Sequence, residues 1–206
     1  REMEHLRARP TFAEGGDGEV VDMQNIWQWE SHQGLTSQFV PTDLYWPVMA
    51  IRHANEARLL DPSDSTAMAT FVAGNLRLEN RLGDRDVVLP VPDLERSPSF
   101  HATVNGPAVA RDVLLMAIDQ GDSEMARDAL RALSLTGGAS SLVGGGDREA
   151  ITEALMYPDQ HVRYDAALVV ARAMPNKAFP GSIRVVPLLA AAVYGGAGRQ
   201  AIVVGV

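Results

Sequence analysis

Between residues 159 and 174 apolar side chains return every three to four positions. Val162, Ala166, Val169, Val170 and Ala173 fall on one stripe of an α-helix. Small residues, Ala167 and Ala171, fill the flanks, so a second helix can approach closely, while Arg163 and Arg172 lie outside the stripe. The same period predicts helices over 42–60, 66–82, 108–120, 123–133, 147–156 and 182–194. The first presents Val48, Ile51, Ala54 and Ala57; the second presents Ala67, Thr70, Phe71, Gly74, Leu78 and Leu82. Thr42 or Asp43 is expected to cap the first helix, and Gly121-Asp122 to turn and cap between 108–120 and 123–133. Pro47 and Pro187 each stand five residues after a possible cap, Thr42 and Ser182. Each therefore kinks its helix or marks a later helix start.

The remainder of the chain lacks that period. Residues 1–41 read as an irregular N-terminal segment, interrupted by Pro10 and by Gly15-Gly16-Asp17-Gly18. Alternation is weak around Ile26, Trp27, Gln28 and Trp29, so extended or irregular chain is expected to lie against the first helices. Burial statistics make Trp27 and Trp29 a plug for the open end of a helical stack. The competing reading makes them a binding patch. Residues 83–105 hold Pro90, Pro92 and Pro98 around a short β-like run, Val87-Val88-Leu89, and are expected to be a connector and internal boundary. A Gly/Ser-rich loop is expected over 137–146. Residues 195–206 turn from glycines to Ile202, Val203, Val204 and Val206, a short C-terminal strand that would begin a following α/β domain whose remainder is cut away.

Two repeat families come into view on these residues. Asp159, Val162, Arg163, Ala166 and Ala167 form the pattern D-x-x-V-R-x-x-A-A, which resembles the second helix of a HEAT repeat. Asp122, Met125, Asp128 and Ala129 line up with Asp159, Val162, Asp165 and Ala166 at an offset of 159 − 122 = 37 residues, close to the HEAT period of roughly 40. Ala57, Leu60, Asp61, Pro62, Asp64 and Ala67 resemble the junction between tetratricopeptide repeats. These resemblances imply an all-α, right-handed α-α superhelix, a solenoid with a tetratricopeptide-like helix pair at 42–82 and HEAT-like repeats at 106–194. In such arrays each pair buries its stripe only against the next.

Composition narrows the function. A net charge of −8 and the absence of a Lys/Arg cluster argue against nucleic acid as a partner. No run of 18 or more apolar residues exists to span a bilayer. Without cysteine, disulfide and thiolate chemistry are absent, and neither cytoplasm nor periplasm is indicated. His53 and Glu56 are one half of a helical metal site with no second half in the sequence. Gly144-Gly145-Gly146 is followed by Asp147-Arg148 instead of the Lys-Ser/Thr of a phosphate loop. Ser140-Ser141 lacks nucleophile-elbow glycines.

The expected role is therefore non-catalytic: a protein–protein interaction scaffold or adaptor region of a larger protein, with no metal and no cofactor. Arg127, Arg131, Arg163 and Arg172, with Arg111, would form a basic strip for an acidic peptide. Alternatively they make surface pairs with Asp128, Asp159 and Asp165. Trp27 and Trp29 complete the candidate partner-binding residues. Weak self-association is expected through the last helix or residues 202–206. The alternatives are a regulatory region coupled to a missing C-terminal α/β domain and a cofactor-handling lyase similar to the HEAT-like bilin lyases.

Overall fold

The computed structural model describes residues 11–14, 20–85, 87–91, 98–138, 142 and 148–196. The chain divides into two compact units, 1–98 and 99–206. It is mostly helical, with an antiparallel sheet near its N-terminus. The segment 195–206, expected to open a further domain, lies outside the described residues beyond Gly196.

The expectation of an all-α chain with an irregular N-terminus needs correcting. Strands β1 (Thr11–Glu14), β2 (Val20–Glu30) and β3 (Gly34–Pro41) form a meander in the order β1-β2-β3. Three residues, Ser31-His32-Gln33, turn β2 into β3, and Gly34 follows at φ +79°. A left-handed residue after a three-residue turn is a common hairpin device, and glycine adopts it without a Cβ penalty. Asn25, Trp27 and Trp29 stand opposite Phe39, Ser37 and Leu35. Side chains alternate across a sheet, so these six share one face, and Ile26 shares the other with Val40.

Ile26 and Val40 join the core of the first unit, built with Leu44, Val48, Ile51 and Ala54 of α1 (Thr42–Leu60) and Phe71 and Leu78 of α2 (Ser65–Leu82). Leu89 completes it. The run 87–89 forms no strand among the described residues, although Gln38 Nε2 donates to the Val88 carbonyl at 2.6 Å. The helical hairpin turns on Asp61, whose Oδ1 accepts from Ser63 N at 2.9 Å and Ser63 Oγ at 2.6 Å. Asp64 caps α2 by accepting from Thr66 N and Ala67 N.

Neither Thr42 nor Asp43 caps α1. Pro41 holds the N-cap position, Thr42 Oγ1 is buried without a partner among the described residues, and Asp43 is drawn elsewhere. Pro47 sits inside the helix and has no N–H to give the Asp43 carbonyl. Arg81 Nη1, from α2, fills that vacancy at 2.8 Å. Arg85 then takes the Asp43 carboxylate, with Nη2 to Oδ2 at 2.8 Å, and also donates to the Arg81 carbonyl. Arg81 and Arg85 thus tie the end of α2 to the start of α1.

This tie carries a pH dependence. The hydrogen bond from Arg85, the largest influence, holds the Asp43 carboxyl below its ordinary range. The unfolded chain therefore takes up the proton first, so the stabilisation is complete above about pH 5 and is lost as pH falls through the folded-state value. Both groups are substantially exposed, so the effect is expected to be small and screened by salt. Arg85→Ala should narrow the difference in melting temperature between pH 7 and pH 3. An unchanged difference would mean the pair contributes nothing.

The second unit begins with α3 (Pro98–Val104), at the boundary, and continues with α4 (Gly106–Gln120) and α5 (Ser123–Thr136). Then come α6 (Ala150–Ala154), α7 (Gln160–Ala173), a 3-10 turn (Ser182–Arg184) and α8 (Val185–Gly196). Pro187 is the third residue of α8, so the later-start reading holds for it, whereas Pro47 is internal. α4 lies against α5 and α6, while α7 lies against α5, α6 and α8. Gly121, left-handed at φ +66°, ends α4, and Asp122 caps α5 through Met125 N. Val162, Ala166, Ala167, Val169 and Val170 of α7 are buried, as are Met125, Ala126, Ala129, Leu130 and Leu133 of α5. The segment leading into α6 is tied back by Arg148, which meets both Asp119 oxygens at 2.9 Å and also Glu153.

Candidate functional site

A cleft opens between α5 and α7. It encloses about 270 Å³ and is lined by Leu130, Arg131, Ser134, Leu135, Asp165, Leu168, Val169 and Arg172. The periodicity of each helix explains the lining. Leu130 and Val169 belong to the buried stripes and form the floor, while Leu135 and Leu168 stand at their margins and remain exposed. Two polar contacts tie the helices together across this cleft. Arg127 Nε donates to Asp165 Oδ2 at 2.7 Å, and Arg172 Nη1 donates to Ser134 Oγ at 2.9 Å.

The four arginines singled out by the sequence divide in their roles. Arg127 is neutralised by Asp165, whose hydrogen bond is the main cause of its raised pKa. Arg131 reaches Asp128 at 2.6 Å with a largely exposed side chain. Arg163 does not join a strip. It turns back to the carbonyls of Tyr157 and Pro158 at 2.6 and 2.5 Å, closing the turn before α7. Arg172 has the Ser134 hydroxyl and no carboxylate partner among the described residues. The strip is thereby corrected to a groove with cations at Arg131 and Arg172, of which Arg172 alone lacks a counter-charge. Asp159, expected as a surface-pair partner, is instead the N-cap of α7. It accepts from His161 N at 2.7 Å, and that bond is the first cause of its lowered pKa.

Trp27 and Trp29 are elsewhere, on the sheet of the first unit. They are 47% and 76% exposed, so they plug nothing there, and the burial reading is overturned. Leu35 and Phe39 share their face at 61% and 45% exposure. Neither Leu35 nor the groove residues Leu130, Ser134 and Leu168 had been singled out by sequence reasoning. The i, i+4 spacing of Leu130 and Ser134 was a usable sign, but which helix would face them was not.

His53 Nδ1 and Glu56 Oε2 are 3.4 Å apart and well exposed. Among the described residues no three histidine or acidic side chains converge in a way that would hold a metal ion. No described helix is long and apolar enough to cross a membrane. The chain matches no protein-family model, no curated protein and no solved structure.

Proposed function

We propose that the second unit is a HEAT-like, right-handed solenoid segment whose α5/α7 groove docks an acidic, amphipathic segment of a partner protein, with no chemistry of its own. The repeat reading is supported by the pairing of α4 with α5 and of α6 with α7, and by the contacts of α4 with α6 and α5 with α7. It is also supported by positions 37 residues apart. Asp122 and Asp159 both cap, Met125 and Val162 are both buried, and so are Ala129 and Ala166. The α1/α2 hairpin, with its Asp-Pro-x-Asp turn, extends the same scaffold role to a tetratricopeptide-like pair.

The observation that carries the docking reading is Arg172. A chain of net charge −8 keeps an arginine without a carboxylate at the lip of an apolar cleft. The apolar floor offers burial to one helix face, and the cation rewards a carboxylate beside it. A synthetic helical peptide of roughly 15 residues, with Leu at positions i, i+4 and i+7 and Glu beside them, is the probe. Saturable binding by fluorescence anisotropy is expected. Arg172→Glu should weaken it about tenfold or more, a loss of ~1.4 kcal/mol or greater. Arg111→Glu, on α4 and away from the groove lining, should not. Equal binding of the peptide with Lys in place of Glu, or indifference to Arg172→Glu, contradicts the reading.

A further inference from the structure

A surface of different chemistry lies on the first unit, and its reading does not depend on the groove. The three cross-strand pairs Asn25–Phe39, Trp27–Ser37 and Trp29–Leu35 set six side chains on one face of the β2–β3 hairpin. An antiparallel sheet normally turns its polar side to water. Here Ile26 and Val40 enter the core while Trp29 and Leu35 stand largely exposed and Trp27 and Phe39 nearly half exposed. Exposed apolar patches of this kind mark contact surfaces. Every residue of the face is uncharged in a chain that is strongly acidic. Amide and hydroxyl groups, Asn25 and Ser37, are interleaved with the rings. Asn25 Oδ1 is buried and finds no donor among the described residues.

We propose that this face is a binding platform for a neutral, extended oligosaccharide. Sugar rings carry an apolar face of C–H bonds, polarised positive, that lies well against the electron-rich face of an indole or phenyl ring. Their hydroxyls supply donors and acceptors that suit Asn25 and Ser37 and require no charge. Trp27 and Trp29 are two residues apart on one strand, about 7 Å, and Phe39 lies diagonally across from Trp27. The result is a row of rings along the ribbon, suited to an elongated ligand more than to a compact one.

The competing occupants fit less well. Single-stranded nucleic acid also stacks on aromatic rings but needs a run of Lys or Arg along the backbone track. The six residues of the face include neither. Arg52 of α1, whose Nη2 donates to the Trp27 carbonyl at 3.3 Å, is a single cation already turned to the strand backbone. Anionic membrane surfaces attract basic residues, whereas the acidic and basic side chains of the described parts of β2 and β3 are Asp22 and Glu30. A second copy of the chain would bury Asn25 and Ser37 against an apolar surface, at a cost unless each finds a partner.

The test is a titration of tryptophan fluorescence in the intact chain with cellohexaose, xylohexaose, mannohexaose and laminarihexaose. At least one is expected to give a saturable change. Trp29→Ala should weaken that binding about tenfold or more. Trp46→Ala, which removes an exposed tryptophan of α1 instead, should leave it unchanged. Trp29 is so exposed that its variant should melt with the parent. Ser37→Asp, which puts a charge on the face without removing a ring, provides a second loss of binding. Arg172→Glu should have no effect on sugar binding, so this proposal and the groove reading fail separately. No response to any of the four sugars, or parent affinity in both Trp29→Ala and Ser37→Asp, would overturn it. So would sedimentation showing a dimer that Trp29→Ala converts to monomer, since the face would then belong to a second copy.

Discussion

Ala166→Asp is expected to unfold the helical unit under conditions where the parent is intact. Ala166 is fully buried on α7, between Val162 and Val170 of the same stripe. Enlarging a side chain in a packed contact costs roughly 1–3 kcal/mol. A carboxylate brings in addition the penalty of leaving water, or must take up a proton to avoid it. Together these rival the whole stability of an ordinary domain, about 5–15 kcal/mol. Gln160→Asp adds the same charge in the exposed first turn of α7 and should be harmless, since an anion there faces the positive end of the helix. Because 1–98 and 99–206 each have their own core, hydrogen-exchange protection should fall within 106–194 and persist in α1 and α2. A mutant as stable as the parent would mean that Ala166 has room around it. Equal loss of protection in both units would mean that they fold as one.

The second large effect is expected at Gly74, where α2 packs tightly on α1. A Cβ at this position would stand 2.8 Å from Ile51 Cγ1, 3.5 Å from the Ile51 nitrogen and 3.6 Å from the Pro47 carbonyl oxygen. Ile51 is itself fully buried, so it has little room to retreat. Two effects oppose one another on substitution. Alanine recovers up to about 1 kcal/mol of helix propensity over glycine, while the contact at 2.8 Å forces α1 and α2 apart. For Gly74→Ala these come close to cancelling. For Gly74→Val the branched side chain adds bulk and gives back part of the propensity gain. A loss of about 2–3 kcal/mol is expected, read as a melting point lower by roughly 10 °C or more in a unit of this size. Gly138→Ala is the contrast, because a Cβ there meets nothing within 4 Å. A Gly74→Val protein that melts with the parent would show that the hairpin can widen without cost.

The helices were legible because two independent signals coincide in them. Apolar residues recur at helical spacing, and Asp64, Asp122 and Asp159 each stand one residue before a helix and accept from its first N–H groups. Strands β2 and β3 were not legible, since their alternation points the wrong way. The large residues Trp27, Trp29 and Phe39 face outward, and the core side mixes Ile26 and Val40 with Gln24, Gln28 and Gln38. A reader who assigns the bulky side to the core finds no consistent strand. Gly34, after the Ser31-His32-Gln33 turn, was the sign that remained.

The arginines tell a similar story. Their helix positions follow from spacing, but their partners do not. Arg163 reaches back to Tyr157 and Pro158 because α7 begins only three residues before it, whereas Arg172 meets Ser134 because α5 lies alongside. Which helix lies alongside is a tertiary fact. The same holds for Asp43, whose carboxylate meets Arg85 while its carbonyl, left without a helical donor by Pro47, meets Arg81.

The docking claim is tested most directly by mapping the Leu/Glu helical peptide onto the protein by NMR. Backbone amide shifts of the ¹⁵N-labelled chain would be followed during titration. The largest changes should fall on Leu130, Ser134, Leu168 and Arg172, with the amides of β2 and β3 unmoved, and Arg172→Glu should sharply reduce them at the same peptide concentration. Changes centred outside α5 and α7, or a response undiminished in Arg172→Glu, would contradict the assignment of the groove as the docking site.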